Sequence, residues 1–264
     1  VEVPRRDGTV DVITTKKEIE KECMIENEKK YCQTTNTPCM QGKLVEDLRY
    51  DALIEAGRKI LDGTYECPPN TNQYTKEFIQ QLQMIPYQYD RPPEAYVSQK
   101  LFKEGWKKIK EATSAGISGL HFGHMKTAAM DNGLADFESA LSTIPYATGF
   151  SPPQWQYGIM VMLQKKAKVE LVNQMRTIVL TEADFNFNNK VLGRMTLQMA
   201  EEAKAIPKEQ YGSRKGHSAI DHAINKRLLY DILRQKRCPG VLCSNDAKSC
   251  FDRIIHSIAM LAYK

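Results

Sequence analysis

The sequence has no run of about 18 apolar residues, which excludes a membrane-spanning helix in it. It has no internal repeat and no low-complexity tract, which excludes solenoids and biased linkers. No Gly-x4-Gly-Lys-Ser/Thr run is present, so no P-loop cradles a phosphate. No local Ser-His-Asp or Cys-His signature of a nucleophilic hydrolase occurs. The seven cysteines, at 23, 32, 39, 67, 238, 243 and 250, include no Cys-x-x-Cys pair. An odd, scattered set reads as reduced, mostly packed thiols of an intracellular protein. A metal site built from Cys23, Cys32, Cys39 and Cys67 would lack the spacing of a zinc knuckle or ribbon. Val1 begins the sequence with neither an initiator Met nor a signal peptide, so the chain reads as an internal piece of a longer one.

What is present is an ordinary globular composition, 42% hydrophobic and 26% charged over 264 residues. The charge is uneven. Residues 1–100 carry 14 basic and 17 acidic side chains, a net of −3, and residues 101–264 carry 23 and 15, a net of +8. A basic excess of that kind suits a phosphate-bearing partner, and equally a lysine-rich solvated surface.

The periodicity predicts a mainly helical N-terminal third, with a solvated Glu/Lys-rich helix over 16–30, one helix over 45–61 ending at Asp62-Gly63, and another over 75–84. Arg91-Pro-Pro-Glu marks a boundary. Helices follow over 97–111, 121–130 and 135–144, the last with Leu134, Phe137, Ala140 and Leu141 on one side. The apolar run 157–163 reads as a buried strand that pairs with 176–180 as an antiparallel hairpin. A helix over 188–205 stops at Pro207. Ser218-Ala-Ile-Asp221 opens a helix that runs to about 237, with Ile220, Ala223, Ile224, Leu228 and Ile232 as its apolar stripe. A strand over 240–245 then delivers Asp246, and a helix follows from His256.

Three groups of residues could carry chemistry. Asp246, at a strand end, offers a rigid and reachable carboxylate to a hard divalent ion, or serves as a helix N-cap. Lys165 and Arg176, near the ends of facing strands, could converge on a triphosphate, Arg as a planar fork and Lys as a point charge; a solvated hairpin tip is the other reading. The loop Gln210-Tyr-Gly-Ser-Arg-Lys-Gly216 lets backbone approach a ligand at its glycines. His121 and His124 lie three apart without a carboxylate or Cys partner at ligand spacing, which favours a surface or capping role.

Taken in order, these segments resemble the reverse transcriptases of non-long-terminal-repeat retrotransposons and group II introns. Gln174-Met-Arg176-Thr-Ile-Val-Leu180, with the helix that follows, resembles their first finger motif, which has an Arg-Pro-Ile-Ser-Leu core. Gln210-x-Gly212-x-Arg214-x-Gly216-x-Ser218-x-x-Asp221 resembles the second. Asp246-x4-Phe251-Asp252-Arg253 resembles the palm motif. Ser114-Ala-Gly116-Ile-Ser-Gly119 is similar to a diverged Pro-Gly-Pro-Asp-Gly-Ile loop, and Pro153-x-Trp155 precedes the strand as it does in the family. The resemblance covers roughly residues 100–264.

The resemblance implies an α+β fold, with a helical N-terminal extension of unknown role at 1–99, fingers at 100–237 and the start of a palm at 238–264. It implies an RNA-directed DNA polymerase that acts on RNA template, DNA primer and deoxynucleoside triphosphates by two-Mg²⁺ nucleotidyl transfer. Its setting would be intracellular, the nucleus for a eukaryotic element, with no membrane association. Nothing in the residues sets an oligomeric state. Asp246 would bind both metal ions, and Ala247 would lend a carbonyl near the nucleotide-bound one. Phe251 would be the steric gate against a ribose 2′-hydroxyl. Arg176 and Lys165 would hold the triphosphate, and Gly212 and Arg214 would lie along the template.

Thr177 stands where the family has Pro, and Ser118 where Asp is common. The Tyr-x-Asp-Asp box and the thumb are absent from residues 1–264, so the chain reads as truncated after the first palm motif and, alone, inactive as a polymerase. Two further readings compete. One is an RNA-dependent RNA polymerase, in which an aromatic gate next to the second Asp is not expected. The other is a non-catalytic nucleic-acid-binding module derived from a polymerase.

Overall fold

The computed structural model describes residues 1–49, 52, 54–83, 96–241, 243–246 and 250–262. The fold is mixed α and β, with two small antiparallel sheets. Among the described residues no helix is long and apolar enough to cross a membrane. The expected break at Arg91 and the residue Ala247 lie outside the described residues.

The chain divides into two compact units. The first comprises Val1–Arg91, Met162–Thr177 and Asn245–Lys264, the second Pro92–Val161 and Ile178–Ser244. A short hairpin opens the first unit, β1 (Glu2–Pro4) pairing with β2 (Val10–Val12). Four helices follow: α1 (Lys16–Tyr31), α2 (Gly42–Leu48), α3 (Glu55–Leu61) and α4 (Gln73–Gln81). The single helix expected over 45–61 is two, because the backbone is left-handed at Arg49 (φ 50°) and Ala52 (φ 52°). Gly57 permits that break: a Cβ there would sit 2.0 Å from the Ala52 carbonyl oxygen.

The second unit begins with α5 (Gln99–Lys107), α6 (Phe122–Ala128) and α7 (Asn132–Thr148). The strands β3 (Ile159–Gln164) and β4 (Met175–Leu180) form the expected hairpin, whose tip, Met162–Thr177, belongs to the first unit. The helices α8 (Ala183–Glu202) and α9 (Ala219–Gln235) complete the second unit. Its core is aromatic. Phe102 and Trp106 of α5 meet Phe122 of α6 and Phe187 of α8, with the Trp106 and Phe187 rings stacked at 5.0 Å. Helix starts follow their caps. Ser98 accepts from the Leu101 N–H and Asp131 from the Leu134 N–H, and Ser218 and Asp221 close the predicted capping box on α9.

The last helix, α10 (His256–Ala262), returns to the first unit. Leu261 packs with Leu44 and Leu48 of α2, Ile60 of α3 and Ile79 of α4. The helix after the palm-like octapeptide therefore shares a core with the N-terminal region, which the sequence treats as a separate extension.

Burial and pairing depart from the sequence reading in four places. The run 157–163 forms a strand, but Ile159, Met160 and Leu163 are exposed. On α7 the buried face is Ala135, Ser139 and Ser142, and Leu134, Phe137 and Leu141 point outward. On α9 the predicted stripe of Ile220, Ile224, Leu228 and Ile232 is exposed. Periodicity shows which face of a helix is apolar, not what covers it. Among the described residues the strand expected over 240–245 is not formed. Residues 240–241 and 243–246 are irregular, and Val241 is 91% exposed. A strand persists when a neighbour satisfies its backbone groups, and no strand pairs with this segment among the described residues.

Candidate nucleotide site

The alternation of β4 decides where Arg176 points. Met175 is 6% exposed and Arg176 is exposed, as successive strand residues face opposite ways. The inward side of β4 is held by α1. Thr177 Oγ1 donates to Asn27 Oδ1 at 2.7 Å, and Lys30 Nζ donates to the Met175 carbonyl at 3.2 Å. Lys165, one residue past the end of β3, is also exposed. Neither the Lys165 nor the Arg176 side chain is tied into an ion pair among the described residues, so both cations are open to an anionic ligand.

Asp246 is exposed on irregular backbone and caps no helix among the described residues, where α10 starts ten residues later, at His256. Phe251 stands on a short 3₁₀ turn, Cys250–Arg253, and is 89% exposed. It lines a cleft of about 380 Å³ together with Tyr31, Arg49, Asp252 and His256, within the size range of small-ligand sites. The turn is anchored by Arg253, whose Nε donates to Gln33 Oε1 at 2.8 Å. Lys165, Arg176, Asp246 and Phe251 all fall in the first unit.

Gly212 and Arg214 fall in the second unit. Gly212 is exposed, but Arg214 is committed to its own loop. Its guanidinium forks onto Glu201 at 2.6 and 2.7 Å and donates from Nη1 to the Pro207 and Gln210 carbonyls. The Arg214 hydrogen bonds hold the Glu201 carboxyl below its usual range, and Glu201 in turn raises Arg214. A template contact by Arg214 would have to give up this clasp. Lys215, next to it, is exposed.

Two features went unread in the sequence. Glu182, 1% exposed, accepts from the Ser118 N–H at 2.9 Å and from the Ser118 hydroxyl, pinning the glycine loop to the start of α8. The other is α1, expected as a solvated helix, which docks through Asn27 and Lys30. The signal was a pair of hydrogen-bonding side chains one helical turn apart, Asn27 and Lys30, followed by Gln33 just past the helix end.

His121 and His124 have the capping role expected of them: His121 Nδ1 accepts from the Gly123 N–H, and His124 Nδ1 from the His121 N–H. All seven thiols are free. Burial raises the Cys23, Cys39 and Cys67 thiols above their usual value, whereas Cys32, Cys238, Cys243 and Cys250 are exposed, so most are not packed as expected. Among the described residues no group of three or more His, Cys, Asp or Glu side chains could hold a metal ion. Asp246 alone does not make a site for the two Mg²⁺ ions that the resemblance implies.

No family model matches the chain, and no curated protein matches its sequence significantly.

Proposed function

We propose that residues 1–264 carry the fingers and first palm motif of an RNA-directed DNA polymerase of the non-long-terminal-repeat and group II intron type. The observation that carries this reading is the order of the motifs around Arg176, Gly212 and Asp246, each weak singly. The open cations Lys165 and Arg176 suit a triphosphate and the cleft-lining Phe251 suits a deoxyribose, although neither cation is among the residues that line the cleft. Arg176 forks onto phosphate oxygens, Lys165 adds a point charge, and Phe251 crowds the sugar C2′. Asp246 contributes one carboxylate toward Mg²⁺ and, without further ligands, supports binding rather than turnover. That lone carboxylate also suits the second reading, a module that binds nucleotide and nucleic acid without catalysis.

Titration of this chain with dTTP, followed calorimetrically, tests the nucleotide site. A charge-assisted hydrogen bond contributes about 1.5–3 kcal/mol, so Arg176→Ala is expected to raise Kd about 10–100-fold. An Arg176→Ala protein that binds dTTP as tightly as the parent would overturn the assignment.

A further inference from the structure

Helix α1 buries one residue, and it is polar: Asn27, 3% exposed. A helix docked for stability alone would bury apolar side chains. A buried amide costs free energy unless it is hydrogen-bonded, so its use here calls for a geometric reason. Its Oδ1 accepts from the Thr177 hydroxyl, and Lys30, one turn on, takes the Met175 carbonyl. The two bonds bracket Arg176 on either side along β4. Gln33, three residues further, holds Arg253 on the turn that carries Phe251. Asn27 and Lys30 near the end of α1, with Gln33 in the turn just after it, thus grip both the strand of Arg176 and the turn of Phe251, all within the first unit.

The residue gripped is informative. Thr177 stands where the resembled family has Pro. A proline next to the arginine fixes φ covalently. Threonine leaves φ free but supplies the hydroxyl that Asn27 binds. We infer that Asn27 is a positioning residue for Arg176: through Thr177 it substitutes a hydrogen bond to the N-terminal helix for the rigidity of a proline, and so orients the guanidinium for a triphosphate. The N-terminal region then has a role in nucleotide binding without touching the nucleotide. This inference rests on the proposed nucleotide site.

The test is a double-mutant cycle on this chain, with inorganic triphosphate as the probe and Kd read by calorimetry. Losing one neutral hydrogen bond corresponds to about a 3–10-fold change, so Asn27→Ala is expected to weaken binding by that factor. In the Arg176→Ala background the same substitution is expected to do nothing further, because its effect passes through Arg176. A merely structural role would weaken binding equally in both backgrounds, and that result overturns the inference. Thr177→Val should reproduce Asn27→Ala, and Thr177→Ser should bind like the parent; these variants decide the matter if Asn27→Ala fails to fold. Unchanged affinity in Asn27→Ala, with binding lost in Arg176→Ala, sinks the inference and leaves the nucleotide site standing. Unchanged affinity in Arg176→Ala sinks the site and the inference with it.

Discussion

Trp106→Ala is expected to destabilise the second unit by about 3–5 kcal/mol, the usual cost of truncating a large buried aromatic. Trp106 is 0% exposed and contacts three other rings. Gly105 makes the fit tighter still, because a Cβ at that position would lie 2.5 Å from the Phe187 ring. The Trp106 Nε1 has no hydrogen-bond partner among the described residues, and an unpaired buried donor costs about 1–3 kcal/mol. Removing the indole relieves that cost, so the lower end of the range is favoured. Against a typical domain stability of about 5–15 kcal/mol the loss is large. Urea unfolding reads it directly, because Trp155, against Phe185 at 5.2 Å, remains as a fluorophore in the same unit. A midpoint unchanged from the parent would mean that the aromatic cluster is not the core.

The second large effect concerns Ser118. In this chain the position opposes a buried carboxylate, Glu182, which it satisfies with two donors. Gly116 makes the approach feasible, since a Cβ there would meet the Glu182 carboxylate at 2.7 Å. Ser118→Asp replaces the hydroxyl donor with a second negative charge against one that is 1% exposed. Losing a hydrogen bond to a buried carboxylate costs about 1.5–3 kcal/mol, and a second negative charge at close range adds to it. The glycine loop is expected to detach from α8, with the urea midpoint falling accordingly. Adding Glu182→Gln should recover much of the loss by removing one of the two charges. Wild-type stability in Ser118→Asp would show that the Ser118–Glu182 contact does not hold the loop.

Elements whose signals are local were legible in the sequence. The Ser218 and Asp221 box starts α9, β-branched Thr177-Ile-Val builds β4, and Gly63 (φ 73°) terminates the segment after α3. Features that depend on a distant partner were not. The segment before Asp246 has residues suited to a strand but no pairing strand among the described residues, so Val241 stays in solvent. The burial of Glu182 depends on a serine 64 residues away. Asn27 lies 150 residues from the threonine it binds, inside a helix whose composition reads as solvated. Arg214 carries a motif position, yet Glu201 and two carbonyls claim its donors. For the candidate site, the residue types and their order were in the sequence. The placement of Lys165, Arg176, Asp246 and Phe251 in one unit, with α1 holding the Arg176 strand and Gln33 just after it holding the Phe251 turn, was not.

The polymerase reading stands most directly on what Phe251 does to a sugar. The decisive measurement is the ratio of dATP to ATP affinity for this chain, in the parent and in Phe251→Ala. An exposed ring on the proposed nucleotide cleft is expected to exclude the 2′-hydroxyl, so the parent should bind dATP at least about fivefold more tightly, a difference of about 1 kcal/mol. Phe251→Ala should bring the ratio to about one by strengthening ATP binding rather than weakening dATP. Equal affinities in the parent, or a preference that survives Phe251→Ala, would contradict the assignment of this cleft to a deoxynucleotide.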